Sequence, residues 1–107
     1  MTLSAQIEGV TVAKEASVYF SGKCISHALT LPDGGRKSVG VILPATLTFN
    51  TAGPEVMEIV AGSCSVRMGG EAEWRCFATG QSFEVGANSS FDIQVVGVPL
   101  HYVCHYG

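Results

Sequence analysis

Apolar and polar residues alternate in short runs along most of the chain, and Gly, Pro, Asn and Asp interrupt those runs. A period of two sends successive side chains to opposite faces of a strand. Runs of this kind, rich in Val, Ile, Thr, Phe and Tyr and bounded by turn formers, read as strands. The pattern predicts strands over residues 10–12, 16–20, 24–31, 36–43, 45–50, 55–61, 63–68, 73–77, 82–85, 90–96 and 100–106. Pro32-Asp33-Gly34-Gly35 suits a hairpin turn, because Pro fixes φ and Gly accepts φ > 0. Met68-Gly69-Gly70 can turn the chain in the same way. No stretch of a dozen residues keeps a 3.6-residue apolar period, and only residues 2–8 suggest a short helical turn. Many short strands with frequent turns predict one all-β domain over residues 1–107, with residues 1–9 as a loose extension.

Composition sharpens the picture. Hydrophobic residues make up 47% of the 107 and charged ones 14%, an apolar balance for a small monomer that points to surface buried in an oligomer. A net charge of −3 and a pI near 5.5 argue against a binder of nucleic-acid backbones, which needs a basic face. No apolar run approaches the roughly 20 residues of a membrane span. The first residues lack a basic start followed by a long apolar block, so no signal peptide is expected and the expected location is cytoplasmic. Cys24, Cys64, Cys76 and Cys104 form no CxxC pair, and each sits in an apolar or alternating stretch. Reduced, mostly buried thiols are expected, with a disulfide or a reactive thiol as the alternative.

Two segments carry a recognisable layout. Six residues separate Glu55 from Gly62, and the run from Gly40 to Gly62 is followed by a second glycine-led run from Gly80 to Gln94. Together they resemble the two motifs of the cupin superfamily, small β-barrels that usually hold a metal on His side chains and one carboxylate. The places of those His read Thr48, Asn50 and Phe91 here, so no metal is expected. His27, Glu55 and a C-terminal His remain an alternative ligand set; His101 and His105 share a strand face but stand about 13 Å apart. By the same pattern Glu55 faces the barrel interior with Met57 and Ile59, and Glu58 faces outward. A carboxylate among apolar side chains needs a partner or a ligand, and a salt bridge at the rim would serve as well as a substrate.

Other candidates lie nearby. The segment Asp33-Gly-Gly-Arg-Lys-Ser-Val-Gly40 has the parts of an anion site: Arg36 for bidentate contact, a Ser38 hydroxyl and flanking glycines. It does not match a P-loop, and a hairpin with a solvated basic end is the plainer reading. Of the aromatics, one or two could stack on a flat ligand while the rest fill the core. No GxSxG and no strand-to-helix GxGxxG is present, which leaves nucleophilic hydrolysis and dinucleotide chemistry without support.

Four blocks in order narrow the resemblance: Val18-Tyr-Phe-Ser-Gly-Lys23, Gly35-Arg-Lys-Ser-Val-Gly40, Thr51-Ala-Gly-Pro-Glu-Val-Met-Glu58 and Tyr102-Val-Cys-His-Tyr106. From about Val10 to Gly107 the chain resembles the pyrimidine/purine nucleoside phosphorylase family. The resemblance implies a short cupin-like, jelly-roll barrel, a homodimer, and phosphorolysis of purine and pyrimidine ribonucleosides to free base and ribose 1-phosphate. Orthophosphate is then the co-substrate and no other cofactor is called for. For such a reaction Arg36 and Ser38, with Lys23, suit the phosphate. Glu55 suits the ribose hydroxyls and the positive charge on the sugar. Phe91, or else Phe49, suits stacking on the base, with Gln94 or Tyr102 at its edge. Thr48 is expected to face inward with Asn50, which would turn Phe49 outward. The chain departs from the family pattern at His27, at Ala45-Thr46 and at Gly86. A ligand-binding cupin without turnover, a metal-dependent cupin enzyme and a dimeric interaction protein are the competing readings.

Overall fold

The computed structural model describes residues 5–107. Among them eleven strands and one 3-10 turn make up the regular structure. The strands are β1 (Thr11–Val12), β2 (Ser17–Tyr19), β3 (Cys24–Thr30), β4 (Arg36–Ile42), β5 (Ala45–Asn50), β6 (Glu55–Ala61), β7 (Ser63–Met68), β8 (Arg75–Ala78), β9 (Ser82–Val85), β10 (Ser90–Val95) and β11 (Leu100–Tyr106). The 3-10 turn, Phe20–Gly22, links β2 to β3. One sheet runs β1-β3-β4-β11-β6-β9, and β2 continues the edge of β3 beyond β1. The other runs β5-β10-β7-β8.

Alternation explains the layering. Cys24, Ile42, Met57, Ile59, Phe83, Val85 and Leu100 from the first sheet meet Leu47, Cys64, Val66, Phe91, Ile93 and Val95 from the second in one buried core. Each fully buried Ile, Leu or Phe contributes about 1.5–3 kcal/mol. The fold is all-β, as the pattern predicts. No ladder joins the two sheets among the described residues, so the barrel is open and reads as a two-sheet jelly-roll sandwich.

Five predicted strands (β5, β6, β7, β9 and β11) end where the pattern places them. The run predicted at 73–77 forms a strand over Arg75–Ala78, and just before it the Arg67 guanidinium stands 4.7 Å from the Trp74 ring centroid. Of the helical turn predicted over 2–8, residues 5–8 are not helical and 2–4 lie outside the described residues. The turn before β4 forms as its residues dictate. The Gly34 N–H donates to the Leu31 carbonyl at 2.9 Å, Gly34 takes φ +88°, and the Asp33 carboxylate accepts from the Gly35 N–H at 2.8 Å. This fixes Arg36 as the first residue of β4.

Candidate active site

Period-two alternation on the first sheet brings a polar set inward at one end of the sandwich. Strand β11 contributes Tyr102, Cys104 and Tyr106, β4 contributes Ser38, β3 contributes Ser26 and β6 contributes Glu55 and Met57. Phe49 and Phe91 face them from the second sheet, and Tyr19 and Phe20 stand at the opening. The cavity they line is open to solvent at one side and measures about 400 Å³. A second cavity of about 410 Å³ adjoins it and adds Ser17, Ala28, Arg36 and Lys37. The wall common to both consists of Tyr19, Ser26, Ser38 and Tyr106, all four of which carry hydroxyls.

These groups form short hydrogen-bonded chains. The Cys104 thiol donates to Glu55 Oε1 at 3.4 Å, and Ser38 Oγ lies 3.0 Å from Tyr106 Oη. At the inner end Tyr102 Oη lies 3.6 Å from Cys24 Sγ. Burial pushes the Cys104 thiol up to about 12, and the charge of Glu55 adds to it. Burial also pushes the Tyr106 phenol up to about 12, against the lowering effect of its bond with Ser38. Tyr102 is raised further, again mainly by burial. At neutral pH the thiols and phenols are therefore neutral donors. The charged groups open to the pair of cavities are the Glu55 carboxylate in one and the Arg36 cation in the other; Lys37 also lines the second, but its ammonium meets His105 on the outer face. Among the described residues no carboxylate pairs with Arg36.

Sequence-predicted residues fall on both sides of the sheets. Glu55, Ser38 and Arg36 share this region. Lys23 does not: Arg36 pairs with Thr30, while Lys23 precedes Cys24 at the other end of β3, about 20 Å away at the usual rise per residue. Thr48 reaches the cavity rim, but its hydroxyl turns outward and donates to Asp92 Oδ1 at 2.6 Å. Gln94 is exposed on β10, on the face away from the core. Tyr102 is buried, with its hydroxyl already engaged. Phe49 faces in, contrary to the expectation, because it is paired with Phe91 across the β5–β10 ladder and cross-strand partners share a face. Phe91 is only 2% exposed and stacks beside Phe49 at 5.4 Å, so Phe49, the less buried of the two, offers more open ring surface to the cavity. Ser26 and Cys104 have no part in the sequence-based site, and Tyr19, Phe20 and Tyr106 enter it only among the aromatics of which one or two could stack on a flat ligand. Once Tyr102 is known to point inward, residues two and four further on must follow it, so Cys104 and Tyr106 were legible from spacing.

The opposite face of the first sheet carries a shallow apolar depression of about 760 Å³, with Ile25, Val39, Val41, Val60 and Val103 among its lining residues. All three His lie there. His27 Nδ1 is 3.0 Å from the Ala13 carbonyl. His105 Nε2 meets Glu58 Oε1 at 2.9 Å, and its Nδ1 meets the Lys37 ammonium. Glu58 thus faces outward, as alternation requires. No group of three or more His, Cys, Asp or Glu suited to a metal exists among the described residues.

A profile of the pyrimidine/purine nucleoside phosphorylase family matches residues 14–106. The chain belongs to that family. It is 64% identical over 107 residues to the pyrimidine/purine nucleoside phosphorylase of Aromatoleum aromaticum, covering 100% of both chains. It is 61% identical over 103 residues to that of Thiobacillus denitrificans, covering 96% of this chain and 99% of the relative. A crystal structure of a protein of unknown function from Acinetobacter sp. ADP1 is similar to this fold with a TM-score of 0.94 at 48% identity, covering 97% of this chain and 100% of that one. None of the three departures from the nucleoside phosphorylase pattern lines the paired cavities. His27 is on the opposite face, Ala45 packs at the edge of the core, and Gly86 sits in a loop where its carbonyl accepts from Thr51 Oγ1 at 2.6 Å. Among the described residues no helix is long and apolar enough to cross a membrane.

Proposed function

We propose that this protein is a pentosyltransferase that cleaves purine and pyrimidine ribonucleosides with orthophosphate, giving free base and α-D-ribose 1-phosphate. The observation that carries this reading is the pair of adjoining cavities. One is aromatic with a single carboxylate, the other holds an unpaired arginine, and a wall of four hydroxyls stands between them. A nucleoside meeting phosphate has that order of chemistry: flat base, polyhydroxyl sugar, anion.

In the reaction a phosphate oxygen bonds to C1′ while the C1′–N bond breaks. The electron pair leaves with the base, which takes up a proton from solvent. Arg36 suits two phosphate oxygens, with Ser38 as a further donor. Glu55 lies where it can accept from ribose hydroxyls and stabilise positive charge growing on the sugar. Cys104 occupies one Glu55 oxygen, which leaves the other for substrate. Phe49 offers a ring to the base. Positioning and fixed charge supply the acceleration without a covalent intermediate, and the reaction so written uses orthophosphate and no further cofactor.

The same reading puts the protein in the cytoplasm, where its four free thiols stay reduced. It also makes the protein a homodimer, as the family resemblance implies. The apolar outer face of the first sheet, where Ile25 is 39% and Val60 41% exposed, suits a second copy, and sedimentation of the purified chain reads the mass directly.

A base-release assay tests the central claim, using uridine, cytidine, adenosine, guanosine, inosine and xanthosine with and without phosphate and in the presence of chelator. Phosphate-dependent release that the chelator leaves unchanged is the expected result. No release from any of the six would leave a ligand-binding cupin as the better reading.

A further inference from the structure

Two consecutive residues of the turn between β2 and β3, neither of them glycine, hold the left-handed backbone conformation: Phe20 at φ 54° and Ser21 at φ 55°. A side chain makes this region unfavourable, and a bulky aromatic is a genuine outlier there. Such strain persists where the surrounding structure requires it, and it gathers at ligand clamps. The conformation carries the Phe20 ring to the opening of the aromatic cavity, where Phe20 is 41% exposed. Its ring centroid is 5.1 Å from that of Phe49, at an interplanar angle of 76°.

The rings form a ladder in which Phe91 covers one face of Phe49 at 5.4 Å and an angle of 16°. Among the described residues Phe49 is the one ring that Phe20 packs against, and Phe20 keeps the rest of its ring surface open. Tyr19 precedes it and lines both cavities, whereas Phe20 lines only the aromatic one. The turn therefore divides its contacts, with Tyr19 on the shared wall and Phe20 on the side away from Arg36.

We propose that Phe20 clamps the base and sets the preference between purine and pyrimidine nucleosides. This rests on the nucleoside reading above. The turn holds the ring over the cavity before substrate arrives, so little ordering remains to be done on binding. A purine offers more ring surface to it than a pyrimidine and gains more from the contact.

The test titrates inosine, uridine and inorganic phosphate separately into wild type, Phe20→Leu, Phe20→Tyr and Phe20→Gly, and follows heat of binding and thermal midpoint. Phe20→Leu keeps apolar bulk and the strained backbone but loses the ring face. Its inosine affinity should fall about tenfold, as expected for loss of one base–aromatic stack. Uridine should fall less, and phosphate should stay within about twofold because Phe20 does not line the Arg36 cavity. Phe20→Tyr should retain wild-type inosine affinity. Phe20→Gly accepts the backbone conformation without strain, so it keeps the test open if the leucine variant does not fold. Unchanged inosine affinity in both Phe20→Leu and Phe20→Gly would overturn the proposal. An equal fall for inosine, uridine and phosphate would also overturn it, as general damage to the opening. If wild type binds neither nucleoside, the nucleoside reading falls first and the clamp with it; normal wild-type binding with indifferent variants sinks the clamp alone.

Discussion

Arg36 and Lys37 are neighbours in sequence, yet their polar heads serve opposite faces of one strand. The Lys37 ammonium is engaged by His105 on the outer face, whereas Arg36 has no carboxylate partner among the described residues. A hairpin with a solvated basic end would have left both free. Only Arg36 is therefore available to a phosphate, and Arg36→Ala should raise the phosphate KM about 10- to 100-fold, the range for losing a bidentate charged contact. The thermal midpoint should move little, because Arg36 is exposed and unpaired. An unchanged phosphate KM would remove Arg36 from the role. Lys23→Ala, some 20 Å along the strand pair, serves as the control and should leave the phosphate KM alone.

At the scale of elements, β11 organises the site. It pairs with β4 on one side and β6 on the other, so Ser38, Cys104 and Met57 come level across three strands. Gly40 makes that pairing possible at the next inward position. A Cβ there would lie 2.6 Å from Tyr102 Oη and 2.8 Å from the Ile25 carbonyl, closer than real contacts allow. Gly40→Ala should cost about 1–3 kcal/mol through overpacking. That corresponds to a drop of roughly 5–15 °C in thermal midpoint for a domain of this size. Turnover should also fall, since Tyr102 is displaced against Ser26 on the shared wall. A thermal melt beside a base-release rate checks both, and a midpoint equal to wild type would show that the sheet absorbs the methyl group freely. The strand run itself was legible from alternation. The inward or outward sense of β5 was not, because a one-residue change in which face is taken as buried reverses Thr48, Phe49 and Asn50 together, and only the ladder with β10 decides it.

At the scale of the whole molecule, one buried interior holds several acids in their neutral form. Burial raises Cys24, raises Cys64 to about 11 and Cys104 to about 12, and raises Tyr102 and Tyr106 as well. Each of these groups loses its proton more readily in the unfolded chain, where ordinary values of 9.0 for Cys and 10.0 for Tyr apply. Their contribution to stability is thus fully present below about pH 9 and is lost as pH rises toward 11–12. Thermal midpoints measured from pH 7 to 11 should be flat up to about pH 9 and then fall steadily. A midpoint constant to pH 11 would mean that these groups titrate no differently folded and unfolded. On the acid side Asp92 is held below its ordinary range by its bonds with Thr48 and then Arg67, but it lies at the surface and should leave only a slight decline at low pH.

The sequence alone carried the all-β architecture, most strand boundaries and the opposite facing of Glu55 and Glu58, through a period of two and local turn preferences, and it carried the inward sense of Glu55 through its cupin-like layout. It also carried the family, through four blocks of matching residues. The folded arrangement was needed to show which alternate set of β5 is buried, that Phe49 and Phe91 stack side by side, that Lys23 and Arg36 stand at opposite ends of one strand pair, and that four hydroxyls form a common wall. Those facts depend on ladder register and on which faces meet across the sandwich, and such pairings link residues up to 78 positions apart, as Cys24 and Tyr102 do. The strained Phe20 is a case of the same kind: nothing in the string Val18-Tyr-Phe-Ser-Gly-Lys23 asks for a left-handed phenylalanine, whose ring packs on the distant Phe49 while its carbonyl accepts from the Lys23 N–H at 3.1 Å.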